Sequence, residues 1–338
     1  MKLTRFSKIF LRYLPGPLLM LVLCWIIWLQ LRQQVDFSLL RTQLSNALQE
    51  KGLYYIPLLV ALMIVNWLIE SIKWKLAVAS VQQVSLFNAF KAVLSGVSIS
   101  LSLPNRIGEY LGRVLYLDPA RRIKAISVTV VASFSQLIVT MTMGLIGLLL
   151  ARPVMLSRGG WAVQTWWIAV MATAVVVALM LLLYFNIRVF HRWLQDKLNV
   201  TTSSWAVRFI KWVQALDSCN AAILRKLLSL SLLRYCVFMI QYFLAYQLFG
   251  ILLEVDELFI IVSLNFLALD ALPTFAAPEL ALRGAVGLWI ANWFSLQSAG
   301  IVLALLLVWI TNLILPALIG ALLVLGIRNF FNLRHETA

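Results

Sequence analysis

Apolar runs of roughly membrane length recur along the chain at 14–31, 55–72, 125–150, 162–185, 229–250 and 298–327, with polar stretches between them. A helix rises 1.5 Å per residue, so about 20 residues cross a hydrocarbon core of about 30 Å. The pattern predicts six transmembrane helices. Two more apolar stretches, 88–117 and 257–294, are each interrupted by proline and by charge. They share a motif. "LPNRIGEYLGR" (103–113) and "LPTFAAPELALR" (272–283) both hold Leu-Pro, then a glutamate, then an arginine four residues after it.

As one straight helix, 88–117 would be about 45 Å long, with Pro104, Arg106, Glu109 and Arg113 in its second half. An interior proline costs about 3 kcal/mol, and a charge at mid-membrane about 2.5–3.5 kcal/mol on insertion scales. Split at Pro104-Asn105, the arms are about 24 and 16 Å, too short to span. Both flanks are basic (Lys73, Lys75; Arg121, Arg122, Lys124), so the stretch reads as a re-entrant hairpin opening to the cytoplasm. The stretch 257–294 breaks at Pro273 and Pro278 into two arms of about 24 Å. It follows Glu254, Asp256 and Glu257, and no basic flank holds it inside, so it is expected to enter from the opposite face.

These eight hydrophobic segments predict an all-α integral membrane protein in two halves. Residues 1–150 supply spans 14–31, 55–72 and 125–150 with hairpin 88–117. Residues 162–327 supply spans 162–185, 229–250 and 298–327 with hairpin 257–294. An odd number of spans in each half inverts one relative to the other. Inverted repeats with broken helices are a transporter architecture in which substrate binds near the hairpin tips. Between the halves, 186–228 reads as a cytoplasmic amphipathic linker, with Trp205, Phe209, Trp212, Val213 and Leu216 on one face. The N-terminal run has no small-residue cleavage site after it and is expected to be a retained helix.

Composition agrees with this reading: 62% of residues are hydrophobic and only 12% charged. The net charge of +15 concentrates at the N-terminus, in 73–124, in 188–226 and at Arg328 and Arg334. That bias places both termini and the basic loops in the cytoplasm, within a prokaryotic inner membrane. Basic loops of this kind attract anionic membrane lipids, and no nucleic-acid partner is expected. Cys24, Cys219 and Cys236 show no paired spacing, and His191 and His335 are the only histidines. Neither a metal site nor any other cofactor is expected.

The charged residues inside apolar sequence carry the candidate chemistry. Glu109 and Arg113, and likewise Glu279 and Arg283, share a helix face at four-residue spacing. One reading is mutual neutralisation, since a paired charge is tolerated in low dielectric better than a lone one. The other is a binding site. Both pairs begin the returning arm of a broken helix, where free backbone N–H groups favour an anion. Arg106 adds a donor suited to phosphate. Asp270 stands three residues before Pro273 in an apolar arm and joins the candidates. Glu70, with Lys73 one turn on, reads as a snorkelling surface pair. The expected ligand is an anionic or phosphate-bearing lipid. No hydrolase, zincin or nucleotide-binding motif is present, so an enzyme is not expected.

The segment "PNRIGEYLGRVLYL", with a second broken segment holding an acid near Pro273, resembles the flippase-like membrane domain of lysylphosphatidylglycerol synthetases over about 10–327. Pro104, Arg106, Gly108 and Glu109 match the pattern of that family. Arg113 lies four residues after the glutamate where the family has three, and "FAAPELALRG" replaces a glycine-rich approach to the acid. The resemblance implies lipid translocation. The chain ends eleven residues after Ile327, which implies moving a lipid rather than making it. Two alternatives stay open: a membrane transferase using Glu109 or Glu279 as general base, and a non-catalytic partner subunit.

Overall fold

The computed structural model describes residues 42, 44–101, 107–186, 220–271, 276–291, 293–294 and 298–336. All regular structure among them is helical. In chain order the main helices are α1 (Leu53–Val78), α2 (Leu86–Ser100), α3 (Ile107–Val114), α4 (Arg122–Leu150), α5 (Val163–Phe185), α6 (Ala221–Leu248), α7 (Val255–Ala271), α8 (Ala276–Ala291), α9 (Ser298–Trp309) and α10 (Leu315–Glu336). A π-helical turn, Ile310–Ile314, joins α9 to α10. Five of the described helices are long and apolar enough to cross a membrane: Leu53–Val78, Pro119–Leu150, Val163–Phe185, Ala221–Leu248 and Gly300–Leu325. The chain is an all-α integral membrane protein. The run 14–31 and most of the linker, 187–219, lie outside the described residues.

Each charged stretch forms two helices on either side of a proline-bearing segment, 102–106 in one case and 272–275 in the other. Ser85 caps α2 by accepting from the Asn88 N–H at 3.2 Å. The second break differs from expectation in one respect. Pro278 lies inside α8, in its first turn, where the N–H that proline lacks has no helical partner to lose. Helix α8 therefore runs on through Pro278, and residues 272–275 between α7 and α8 lie outside the described residues. The fifth span also starts earlier than its apolar run. Asn220 accepts from the Ile223 N–H at 2.8 Å and caps α6, so 221–228 belong to the span and not to the linker.

Packing links the two parts of the chain reciprocally. α2 lies against α3, α1 and α10, while α7 lies against α8, α6 and α4. Thus α2 touches α10, α7 touches α4, and α1 packs along α6. Apolar cores form around each pair: Trp67, Trp74, Val93 and Leu94 in one, Tyr246, Ile261, Leu264 and Leu305 in the other. A third core, with Val131, Ile138, Tyr184 and Leu227, joins α4, α5 and α6. On α5, large side chains such as Ile168 and Leu182 face outward, as lipid-facing residues do.

Glycine sets the spacing of the first pair. A Cβ on Gly112 would lie 2.5 Å from Gly96 Cα and 2.7 Å from the Ser95 oxygen. One on Gly96 would lie 2.7 Å from the Glu109 oxygen, and one on Gly108 would collide with the Ile99 carbonyl. Gly108 and Gly112 form a small-xxx-small repeat, which lets helix backbones touch inside a membrane. The α2–α3 contact is therefore backbone to backbone, and this closeness brings Arg113 to the centre of the bundle.

Candidate functional site

On α1, Asn66, Glu70 and Lys73 are spaced by four and three residues and so share one face. That face is buried: Asn66 is 0%, Glu70 2% and Lys73 1% exposed. The surface pair expected from sequence is instead an interior one, because α6 and α3 cover it. Glu70 is the hub. Its Oε2 meets Lys73 Nζ at 2.8 Å and Arg234 Nη1 of α6 at 2.8 Å. Its Oε1 meets Arg113 Nη1 at 2.9 Å.

Arg113 reaches this point because Gly96 leaves room for it; a Cβ there would lie 3.1 Å from Arg113 Cγ. Its other terminal nitrogen donates to Glu109 Oε2 at 3.1 Å. The predicted pair on α3 therefore forms, but Arg113 divides itself between its own helix and α1. Glu109 sits at the accessible edge, with its side chain 20% exposed against 1% for Arg113.

Arg234 is held from several sides. Its Nε donates to Asn66 Oδ1 at 2.7 Å, and its guanidinium lies over the Trp67 and Phe238 rings at 5.0 and 5.6 Å. Asn66 Nδ2 donates to Asn312 Oδ1 at 3.0 Å, and Asn312 Nδ2 donates to the Val308 carbonyl at 3.1 Å. Asn312 lies in the π-helical turn of the last span, four residues before Pro316. Proline cannot donate to the carbonyl four residues back, and a π turn is one way a helix absorbs that loss. On the other side, Lys73 Nζ donates to Ser231 Oγ at 3.3 Å, and Ser231 bonds Ser135 of α4 at 2.8 Å.

The cluster thus holds three cations (Lys73, Arg113, Arg234) against two carboxylates (Glu70, Glu109). With all five ionised, one positive charge is in excess among the described residues of the cluster. In low dielectric such an excess attracts an anion strongly. The polar amide pair beside it contributes far less. Asn312→Ala is expected to cost about 1–2 kcal/mol in a denaturation assay in detergent, since interhelical hydrogen bonds in membranes are modest.

The other candidate residues are distributed as follows. Arg106 lies outside the described residues. Glu279 and Arg283 stand on α8 at helical four-residue spacing, with their side chains outside the description. Asp270 lies at the end of α7 and accepts from Thr140 Oγ1 of α4 at 2.5 Å. It belongs to a separate polar contact on the second helix pair. Sequence reasoning missed Arg234 and the centrality of Glu70. The usable signals were Asn66, Glu70 and Lys73 on one face of a long apolar helix, and Ser231 and Arg234 one turn apart on another.

A family model, lysylphosphatidylglycerol synthase TM region, matches residues 17–277. The chain belongs to this family. The matched range contains all five residues of the ion cluster, with Asn66 and Asp270; Asn312, Glu279 and Arg283 fall beyond it. No curated protein and no solved structure matched the chain. Membership ties the protein to membrane lipid biology and agrees with its apolar helices.

Proposed function

We propose that the protein moves an anionic or phosphate-bearing lipid between the leaflets of a prokaryotic cytoplasmic membrane, with both termini inside. The observation that carries this reading is the gathering of three cations against two carboxylates, among the described residues, where α1, α3 and α6 meet. A cluster serving stability alone would be expected to balance its charges, because an uncompensated charge in low dielectric is penalised heavily. Arg113 Nε is buried and, among the described residues, has no acceptor. A phosphate would supply both the missing charge and the missing acceptor.

Two re-entrant hairpins in inverted halves fit this role. α2 and α3 have 15 and 8 residues, or about 22 and 12 Å, and α7 and α8 have 17 and 16, or about 25 and 24 Å. Each is short of a membrane crossing of about 30 Å. The reciprocal packing of α2 on α10 and α7 on α4 supports a twofold relation between the halves. In that arrangement α1 and α6 meet at the axis, and the ion cluster lies between them. A lipid phosphate arriving at Glu109 competes with it for Arg113. Glu109 then takes the arginine back when the lipid leaves, and no covalent bond changes.

This exchange gives a test. In proteoliposomes, the protein is expected to expose a fluorescent phosphatidylglycerol to an external quencher well above the rate of empty vesicles. Glu109→Gln cannot recapture Arg113 and is expected to slow that movement about tenfold or more, equivalent to at least about 1.4 kcal/mol, while still retaining lipid. Unchanged movement in Glu109→Gln, at equal folding, would remove the exchange step. No movement by the unaltered protein would remove the transport reading.

A further inference from the structure

The exchange at Arg113 leaves Lys73 without a part to play. Of the three described cations in the cluster, Lys73 alone can shed a proton, because a guanidinium stays charged in proteins and an amine does not. Its contacts suit both states. Nζ lies 2.8 Å from Glu70 Oε2 and 3.3 Å from Ser231 Oγ. Ser231 Oγ lies 2.8 Å from Ser135 Oγ, where either can donate, and Ser135 Oγ lies 2.7 Å from the Ala132 carbonyl. Lys73 is buried, as are both serines. A hydroxyl has one proton and two lone pairs. As an ammonium, Lys73 donates to Ser231, Ser231 to Ser135, and Ser135 to the Ala132 carbonyl. As a neutral amine, Lys73 still donates to Glu70, while its lone pair accepts from Ser231 and Ser231 accepts from Ser135. The two hydroxyls reverse together, so neither state leaves these side chains unmatched in the membrane. Glu70 keeps Arg113 and Arg234 in both.

Each element around Lys73 brings few charged or titratable groups. α1 itself supplies Glu70, with Lys75 two residues on. α6 supplies Arg234, whose described partners include Glu70 and Asn66. Arg225 and Lys226 stand at the start of α6, and Tyr235, Cys236, Tyr242 and Tyr246 lie further along it. α3 supplies Arg113, with Glu109 on its other nitrogen, and Tyr110. α2 carries Lys91, and Arg122 and Lys124 open α4. Residues 125–151 contain no charged side chain. Glu70 favours the ammonium form of Lys73, whereas burial and the two guanidinium charges oppose it. An anion on those guanidinium groups adds to the side of Glu70, so its arrival favours a proton on Lys73.

On the basis of the transport reading, we propose that Lys73 takes one proton from water as a lipid phosphate enters the cluster and returns it when the lipid leaves. Each anionic lipid then moves with a proton. The step turns an amine and a proton into an ammonium, the Ser231–Ser135 pair reverses with it, and no other bond changes.

The test counts protons taken up when phosphatidylglycerol is added to the detergent-purified full chain. The solution is weakly buffered, holds a pH-sensitive dye, and is stepped from about pH 6 to about pH 9. The unaltered protein is expected to take up as much as about one proton per lipid bound, with a maximum inside that range. Uptake should fall towards zero at the acid end, where Lys73 is charged before the lipid arrives. In Lys73→Arg, uptake per lipid bound is expected to fall to about zero, because arginine has no proton to exchange. Ser231→Ala is a milder change that keeps the lysine. It is expected to move the maximum down by about half a pH unit or more, since the ammonium loses a charge-assisted bond and the amine only a neutral one. Lipid bound by the unaltered protein with no proton uptake at any pH overturns the inference and leaves transport standing. Uptake that persists in Lys73→Arg also overturns it; should that variant fail to fold, an unmoved maximum in Ser231→Ala does so. No phosphatidylglycerol bound by the unaltered protein overturns both readings.

Discussion

Glu70→Gln is expected to lower the stability of the detergent-solubilised protein by about 3–5 kcal/mol, the range for removing one partner from a buried ion pair. The reason is the geometry around this one carboxylate. Lys73, Arg113 and Arg234 lie within 2.8–2.9 Å of its two oxygens. Glutamine keeps the shape and removes the charge, so Lys73, Arg113 and the largely covered Arg234 face one another with Glu109 alone, among the described residues, to offset them. If that account holds, removing a cation as well should help: Glu70→Gln/Lys73→Met is expected to be more stable than Glu70→Gln alone. Denaturation in detergent checks both. A loss under about 1 kcal/mol would mean that Glu70 behaves as an exposed surface pair does.

Gly112→Val is expected to cost about 3 kcal/mol or more, at or above the upper end of ordinary overpacking. A new Cβ at this position meets Gly96 Cα and the Ser95 oxygen. These are backbone atoms, so no rotamer change relieves the clash and α2 and α3 must separate. Arg113 is the next residue, and separation draws it away from Glu70. Lipid movement should therefore fall together with stability. Gly112→Ala is expected to show a smaller loss of the same kind, about 1–3 kcal/mol. Thermal denaturation with a lipid-movement assay on the same preparation tests the link. A variant with full stability would show that the helices are not held at backbone contact.

Much of this architecture was legible from local pattern. Apolar runs set the described spans, and Pro104 and Pro273 fall between the helices of each pair, α2 and α3 in one case and α7 and α8 in the other. The Glu109–Arg113 contact followed from four-residue spacing. The hub did not. Glu70 lies 43 positions from Arg113 and 164 from Arg234, and local spacing offered only Lys73, which made a surface pair the natural reading. What buries Glu70 is the approach of α3 and α6, and the trace of that approach in sequence is glycine at 96, 108 and 112, not charge. Pro278 misled for a related reason: proline breaks a helix interior but is tolerated in a first turn.

On the transport reading, Arg113 and Arg234, held by Glu70, bind the headgroup of an anionic lipid. Native mass spectrometry of the detergent-purified protein, unaltered and with Arg234→Gln, tests it most directly. Arg234→Gln removes one of the three cations yet leaves Glu70 paired with Lys73 and Arg113, so the fold is expected to persist. The account predicts one anionic lipid retained by the unaltered protein and lost from Arg234→Gln. The same mixture of bulk lipids on both, with no anionic species enriched, would contradict it.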